Sequence, residues 1–119
     1  MRYIYLISSP PNGAPPPVRL MQEIDKLTKT QAGQAMLEGG GFAPQGKGAR
    51  HRVRGGKLEV LDGPFTETKE VIGGYAMFEF ATEAEAIESA RAFMQLHLDY
   101  GEGWEGTCHM YQMFSGVES

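Results

Sequence analysis

The most informative stretch of the sequence is residues 75–97, YAMFEFATEAEAIESARAFMQLH. Its first seven residues are aromatic or apolar at nearly every position, which predicts a strand from Tyr75 to Ala81. Thr82, followed three residues later by Glu85, is typical of a helix start, because both side chains can satisfy free backbone amides. We expect this helix to bury one face, formed by Ala86, Ile87, Ala90, Phe93, Met94 and His97.

Working outward, the same order of elements occurs twice. A strand over residues 2–7 precedes a helix predicted from Val18 to Leu37, where apolar side chains recur at three- and four-residue steps and Gly39–Gly41 end the pattern. After the second helix a last strand is predicted from Thr107 to Phe114. The order predicts an α+β fold of the ferredoxin-like sandwich type, with an antiparallel sheet and two helices on one face.

Residues 49–62 predict a β-hairpin. Gly55-Gly56 lies between two alternating runs, and a two-residue glycine loop is the preferred connection of a tight hairpin. Such a loop pairs Val53 with Leu58 and His51 with Val60, and places all four on one face. The arginines at 50, 52 and 54 share the other face with Glu59, which is typical of a solvated and protected edge.

Both faces of the predicted sheet carry large side chains. In the first strand Tyr3, Tyr5 and Ile7 alternate with Ile4 and Leu6. Helices cover only one face of such a sheet, so the other is expected to meet a second copy of the chain. The sequence therefore predicts a homodimer, a dimeric α+β barrel with a cavity between the two sheets.

Composition limits the classes of protein to which the chain can belong. It has 119 residues, 41% of them hydrophobic, which indicates a single domain over residues 1–119. A lone cysteine, Cys108, excludes an internal disulfide framework and an all-cysteine zinc site, and favours a cytoplasmic location. The five apolar residues at 3–7 are too few for a signal peptide, and no run is long enough to span a membrane.

Charge is distributed unevenly along the chain. Residues 1–57 carry nine Lys and Arg against three Asp and Glu, whereas residues 58–119 carry two against twelve. A basic half can indicate nucleic-acid binding. However, no aromatic stacking motif interleaves with the basic residues, and two opposite halves in one domain largely neutralise each other. Nucleic acid is therefore not an expected partner.

Residues 61–75, LDGPFTETKEVIGGY, resemble the signature of the YCII-related family and of its DGPF-domain branch, named for the residues at 62–65. In looser form the resemblance covers nearly the whole chain. It implies a dimeric α+β barrel, and in bacteria some relatives accompany extracytoplasmic-function sigma factors. The last strand departs from the family pattern, because His109 and Tyr111 stand where similar proteins commonly have an acidic residue and an arginine.

Asp62 and His109 are the candidate catalytic residues. A carboxylate can orient an imidazole that acts as general acid and base, and Tyr111 shares the strand face of His109. Asp62 before Gly63 and Pro64 is equally typical of a turn in which its carboxylate accepts a backbone amide two residues on. The candidate ligand-binding residues are Tyr5, His51, Phe65, Glu67, Thr68, Lys69 and Tyr111.

Neither a metal nor a cofactor is expected. His51, His97 and His109 are not at metal-ligand spacing, and the glycine-dense stretch over residues 39–48 lacks the spacing of a phosphate-binding loop. Alternation places Cys108 on the opposite face from His109, which argues against a nucleophilic pair.

Two functions of different classes remain open. The first is a homodimeric small-molecule-binding protein, with cofactor-free acid–base catalysis on a small cyclic or carbonyl substrate as its enzymatic form. The alternative is a non-catalytic regulatory or interaction module in a sigma-factor pathway.

Overall fold

The computed structural model describes residues 1–10, 15–30, 35–43, 47–63 and 70–114. In chain order the elements are β1 (Arg2–Ser9), α1 (Val18–Thr28), β2 (Met36–Gly41), β3 (Ala49–Arg54), β4 (Lys57–Asp62), β5 (Val71–Glu79), α2 (Glu83–Tyr100) and β6 (Thr107–Met113). Four strands form one antiparallel sheet in the order β2-β5-β1-β6, and β3 and β4 form a separate two-stranded sheet. This is an α+β arrangement compatible with the predicted ferredoxin-like fold.

The core lies between the sheet and α2. Tyr3 and Tyr5 of β1 are 1% exposed and pack with Phe78 of β5 and with Ala86 of α2. The Tyr5 and Phe78 ring centroids are 4.6 Å apart. Helix α1 contributes the buried Leu20 and packs along α2. Both helices therefore belong to one layer, and the opposite face of the sheet is free of them.

Helix α2 begins as predicted. The Thr82 hydroxyl accepts a hydrogen bond from the Glu85 amide at 3.2 Å, and the Glu85 carboxylate accepts one from the Ala81 amide at 3.1 Å. The predicted buried face is confirmed at Ala86 and His97, but Ile87 is 53% exposed because it lies at the margin of the stripe, next to Ala86.

The predicted first helix is wrong in its C-terminal part. Helix α1 ends at Thr28, and residues 36–41 form the edge strand β2, which pairs with β5. Gly39–Gly41 therefore belong to a strand and do not end a helix. A Cβ at Gly39 would lie 3.3 Å from the Tyr75 carbonyl oxygen, and one at Gly40 would lie 3.4 Å from the Tyr75 ring. Strand pairing thus overrides the helical spacing of the apolar residues before it.

The β3–β4 hairpin has the predicted register. Val53 pairs with Leu58 and His51 with Val60, and both turn glycines have positive φ angles, +59° at Gly55 and +74° at Gly56. The hairpin packs extensively against no other helix or strand of the described chain. It is therefore an extension of the fold and not part of its core.

Within the described ranges, no helix has the length and apolar character required to cross a membrane.

Candidate functional site

The side of the sheet opposite α2 is the open face. Strand alternation places Ile4 and Leu6 of β1 on it, because Tyr3 and Tyr5 point toward α2. Cross-strand pairing then assigns the neighbours: Leu6 lies between Tyr75 and His109, and Ile4 lies between Met77 and Tyr111. The open face is thus an apolar floor with His109 and Tyr111 along its β6 side.

His109 and Tyr111 lie side by side. Their ring centroids are 6.2 Å apart and the ring planes differ by 6°. Both side chains are exposed, Tyr111 to 53%. An imidazole and a phenol are thus presented together to any molecule on the open face, and each can donate or accept a hydrogen bond there.

A second aromatic pair borders the open face at β2. The rings of Phe42 and Tyr75 stack with centroids 5.6 Å apart and planes within 13°. Gly40 leaves room beneath the Tyr75 ring. Strands β5 and β6 flank β1, so the two aromatic pairs stand about 10 Å apart across the floor. The sequence pattern does not predict this pair, because glycines such as those at 39–41 are also typical of a helix end.

Asp62 does not meet His109 within one copy of the chain. It is the last residue of β4, whereas His109 lies in the separate four-stranded sheet. In the described part of the chain, no hydrogen bond or ion pair joins the two side chains. Asp62 pairs with Ala49, which places it on the hairpin face of His51 and Val60, diagonal to His51.

The turn predicted at Asp62 is wrong in one respect: its carboxylate cannot accept a hydrogen bond from the backbone amide two residues on. The residue two positions on is Pro64, which has no amide hydrogen to donate. The Gly63 amide donates instead to the Gly48 carbonyl oxygen at 2.6 Å and closes the base of the hairpin. The Asp62 side chain is exposed, and its carboxylate accepts no hydrogen bond from the residues that the structure describes.

His51 belongs to the hairpin apolar face, which consists of Ala49, His51, Val53, Leu58, Val60 and Asp62. Its aliphatic side chains are largely exposed: Val53 to 78%, Leu58 to 66% and Val60 to 59%. His51 is thus placed near a carboxylate and apolar groups, as a binding residue requires, but on a surface that nothing in the described part of the chain covers extensively.

Tyr5 has a structural role. It points to the helix side of the sheet, opposite His109, and its hydroxyl donates a hydrogen bond to the Ala86 carbonyl oxygen at 2.7 Å. Burial raises its pKa. A molecule on the open face has no access to this hydroxyl, so the placement speaks against Tyr5 as a ligand-binding residue.

Four candidate residues, Phe65, Glu67, Thr68 and Lys69, lie outside the described residues. Glu70, which follows them, is described: its carboxylate accepts a hydrogen bond from the Ser8 hydroxyl at 3.0 Å. Ser8 is only 8% exposed. This contact joins Glu70, within residues 61–75, to the end of β1, two residues from Leu6, which pairs with His109.

Two further titratable side chains, His97 and Cys108, pack within the fold. His97 is buried against Trp104, and its Nδ1 lies 3.0 Å from the Phe93 carbonyl oxygen. Burial lowers the pKa of His97 and raises that of Cys108. Cys108 pairs with Ile7 on the helix side, away from His109 as expected. Among the residues that the structure describes, no three His, Cys, Asp or Glu side chains cluster as metal ligands.

An open groove runs along α2 on the helix side. It is lined by Ala84, Ser89 and Ala92, with Glu85 and Glu88 among its acidic residues. Glu85 is engaged at the helix start, and Glu88 forms an ion pair with Arg91. None of the candidate site residues that the structure describes lines this groove.

Comparison with known proteins agrees with the resemblance of residues 61–75. No curated protein matches the chain. The family model described as the YCII-related domain matches residues 1–99, which include the sheet strands β1, β2 and β5, the hairpin and nearly all of α2. This chain belongs to the YCII-related family.

Proposed function

We propose that the protein is a homodimeric small-molecule-binding protein whose site lies on the open face of the sheet. The observation that carries the proposal is the pairing of His109 and Tyr111 beside an apolar floor that neither helix of the described chain covers. Small-molecule sites are typically apolar surfaces with a few convergent polar groups, which describes this face.

A second copy supplies the missing cover. Phe42 and Tyr111 at the border of the open face are 47% and 53% exposed, and burying the exposed half of such a side chain contributes about 1 kcal/mol. Two sheets that face each other bury this surface and enclose the space between them. The dimeric α+β barrel expected from the sequence is the arrangement that meets this need.

The chemistry available in such a cavity is proton transfer. Imidazole both takes and gives a proton near neutral pH, and a phenol can donate a hydrogen bond to a carbonyl oxygen. In the enzymatic form of the proposal, His109 moves a proton on a small cyclic or carbonyl substrate while Tyr111 holds the oxygen.

We propose further that the chain belongs to the DGPF branch of the family and that it is cytoplasmic. Residues 62–65 support the first point, and the lone Cys108 supports the second.

The test uses a panel of small cyclic ketones, with binding followed by amide chemical shifts of the ¹⁵N-labelled protein. We expect shifts at Leu6, Tyr75 and His109, and binding about tenfold weaker in His109→Ala. Gln112→Ala is the matched control, because Gln112 is on the same strand and pairs with Tyr3, on the opposite face. No shift with any ketone at millimolar concentration, or shifts confined to α1 and α2, would overturn the proposal.

Catalysis is tested separately, by exchange of the ketone α-protons in D₂O. Exchange that depends on His109 supports the enzymatic form. Binding without exchange removes that form and leaves a binding protein, which is the outcome that a regulatory module predicts.

A further inference from the structure

We infer that the β3–β4 hairpin of each copy lies on the open face of its partner, so that His51 and Asp62 of one subunit complete the site that contains the partner's His109. The inference rests on the proposed function and adds to it a composite site. The cavity is then incomplete in a single chain.

The hairpin has a surface that requires a partner. An isolated two-stranded hairpin is marginally stable in water, and a third strand or a packed face is needed to hold it. Here Val53, Leu58 and Val60 are each more than half exposed. They lie on one face, and the arginines at 52 and 54 lie on the other. The apolar side of the hairpin is therefore the side that a single copy leaves in water, whereas Arg52 on the other side is half-buried.

The overall dimensions agree. The radius of gyration is 16.1 Å, whereas a compact domain of this length has one of about 13.5 Å. The principal extents are 47 × 42 × 18 Å, and in the described part of the chain the smallest extent is filled by one sheet and one helix layer. A single copy thus leaves uncovered both surfaces that a compact fold would bury: the open face and the hairpin apolar face.

The length of the hairpin matches the width of the open face, so a hairpin seated on a partner covers about half of that face. Six paired residues make the hairpin about 20 Å long, and four strands make the sheet about 19 Å wide. Together they present about 600 Å² of flat area per subunit, which approaches the roughly 800 Å² that each partner buries in a stable interface. The open face alone, at about 400 Å², provides half of that. Both surfaces belong to one chain, so a two-fold dimer satisfies both at once, which favours a second copy over an unrelated partner.

The arrangement explains the distribution of the candidate residues. His51 and Asp62 are diagonal neighbours on the hairpin apolar face, and His109 and Tyr111 are neighbours on the open face. Within one chain the two pairs occupy separate sheets. Seated on a partner, the hairpin adds a carboxylate and a second imidazole above the apolar floor. The cavity then suits a small molecule with an apolar body and hydrogen-bonding groups at two ends.

Photo-crosslinking tests the contact directly. A benzophenone amino acid at position 53 in a tagged copy is mixed with ¹⁵N-labelled wild type, refolded together and irradiated. We expect crosslinked peptides that join position 53 to labelled residues 3–8, 75–79 or 107–113. The same probe at position 52, on the opposite hairpin face, is the matched control and should give no such peptide.

Sedimentation measures the contribution of the hairpin to the dimer. We expect Val53→Ser with Leu58→Ser to raise the dimer dissociation constant at least about a hundredfold, because a symmetric dimer loses each contact twice. The control is Arg54→Ser with Lys57→Ser, which alters the neighbouring cross-strand pair on the other face. This change should leave the dimer dissociation constant within about threefold of the wild-type value.

Two sets of outcomes separate this inference from the proposed function. Crosslinks to the hairpin of the second copy, to the sheet of the same copy, or to nothing in a sample that is still dimeric overturn the hairpin inference alone. A chain that remains monomeric at every concentration overturns the proposed dimer as well.

Discussion

The clearest single perturbation is the removal of the Tyr5 hydroxyl. Tyr5→Phe keeps the ring that packs on Phe78 at a centroid distance of 4.6 Å and deletes only the 2.7 Å hydrogen bond to the Ala86 carbonyl oxygen. That carbonyl is in the first turns of α2, so it keeps its helical partner, the amide four residues on. We therefore expect a loss of about 1 kcal/mol in the free energy of unfolding.

Urea unfolding at one fixed protein concentration measures this loss, because dimerisation would otherwise shift the midpoint. The corresponding fall in Tm is about 4 °C. Tyr3→Phe is the matched control: Tyr3 is equally buried, but among the described residues its hydroxyl hydrogen-bonds only to the Met1 sulfur, at 3.8 Å. The slope of the transition should be unchanged in both variants.

Equal destabilisation by Tyr5→Phe and Tyr3→Phe would refute the reasoning, since burial alone would then explain both. Weaker ketone binding in Tyr5→Phe at unchanged stability would also refute the structural role of the Tyr5 hydroxyl. That result would return Tyr5 to the ligand-binding residues.

Two further perturbations test packing near the second helix. Gly106→Ala should cost about 2 kcal/mol in urea unfolding, because the added Cβ would overlap the Trp104 indole and lie 2.5 Å from the Ser8 carbonyl oxygen. Gly48→Ala, where a Cβ meets nothing within 4 Å, should be nearly neutral, and an equal loss in both would contradict this account. Unfolded His97 takes up a proton below about pH 6.5, whereas burial lowers the pKa of the folded residue, so stability should fall as the pH drops from 7 to 5.5. Urea midpoints at the two pH values should differ less in His97→Gln, and an unchanged difference would exclude His97 as the source.

Much of the candidate site could be predicted from local pattern. Alternation alone places His109 and Tyr111 on one face and Cys108 on the other, and the pairings of β6 confirm this. The Phe42–Tyr75 pair could not be found in this way. It depends on β2 lying beside β5, a contact between residues about 35 positions apart in the sequence.

The register of the hairpin and the start of α2 were determined by the sequence alone. Each depends on neighbours a few residues apart: a two-residue glycine turn, or a threonine and a glutamate in one helical turn. Tertiary structure alone decided that residues 36–41 form a strand, that Tyr5 belongs to the core, and that Asp62 and His109 lie on different sheets. Sheet pairing and the placement of the helix layer decide these points, and both join residues far apart in the chain.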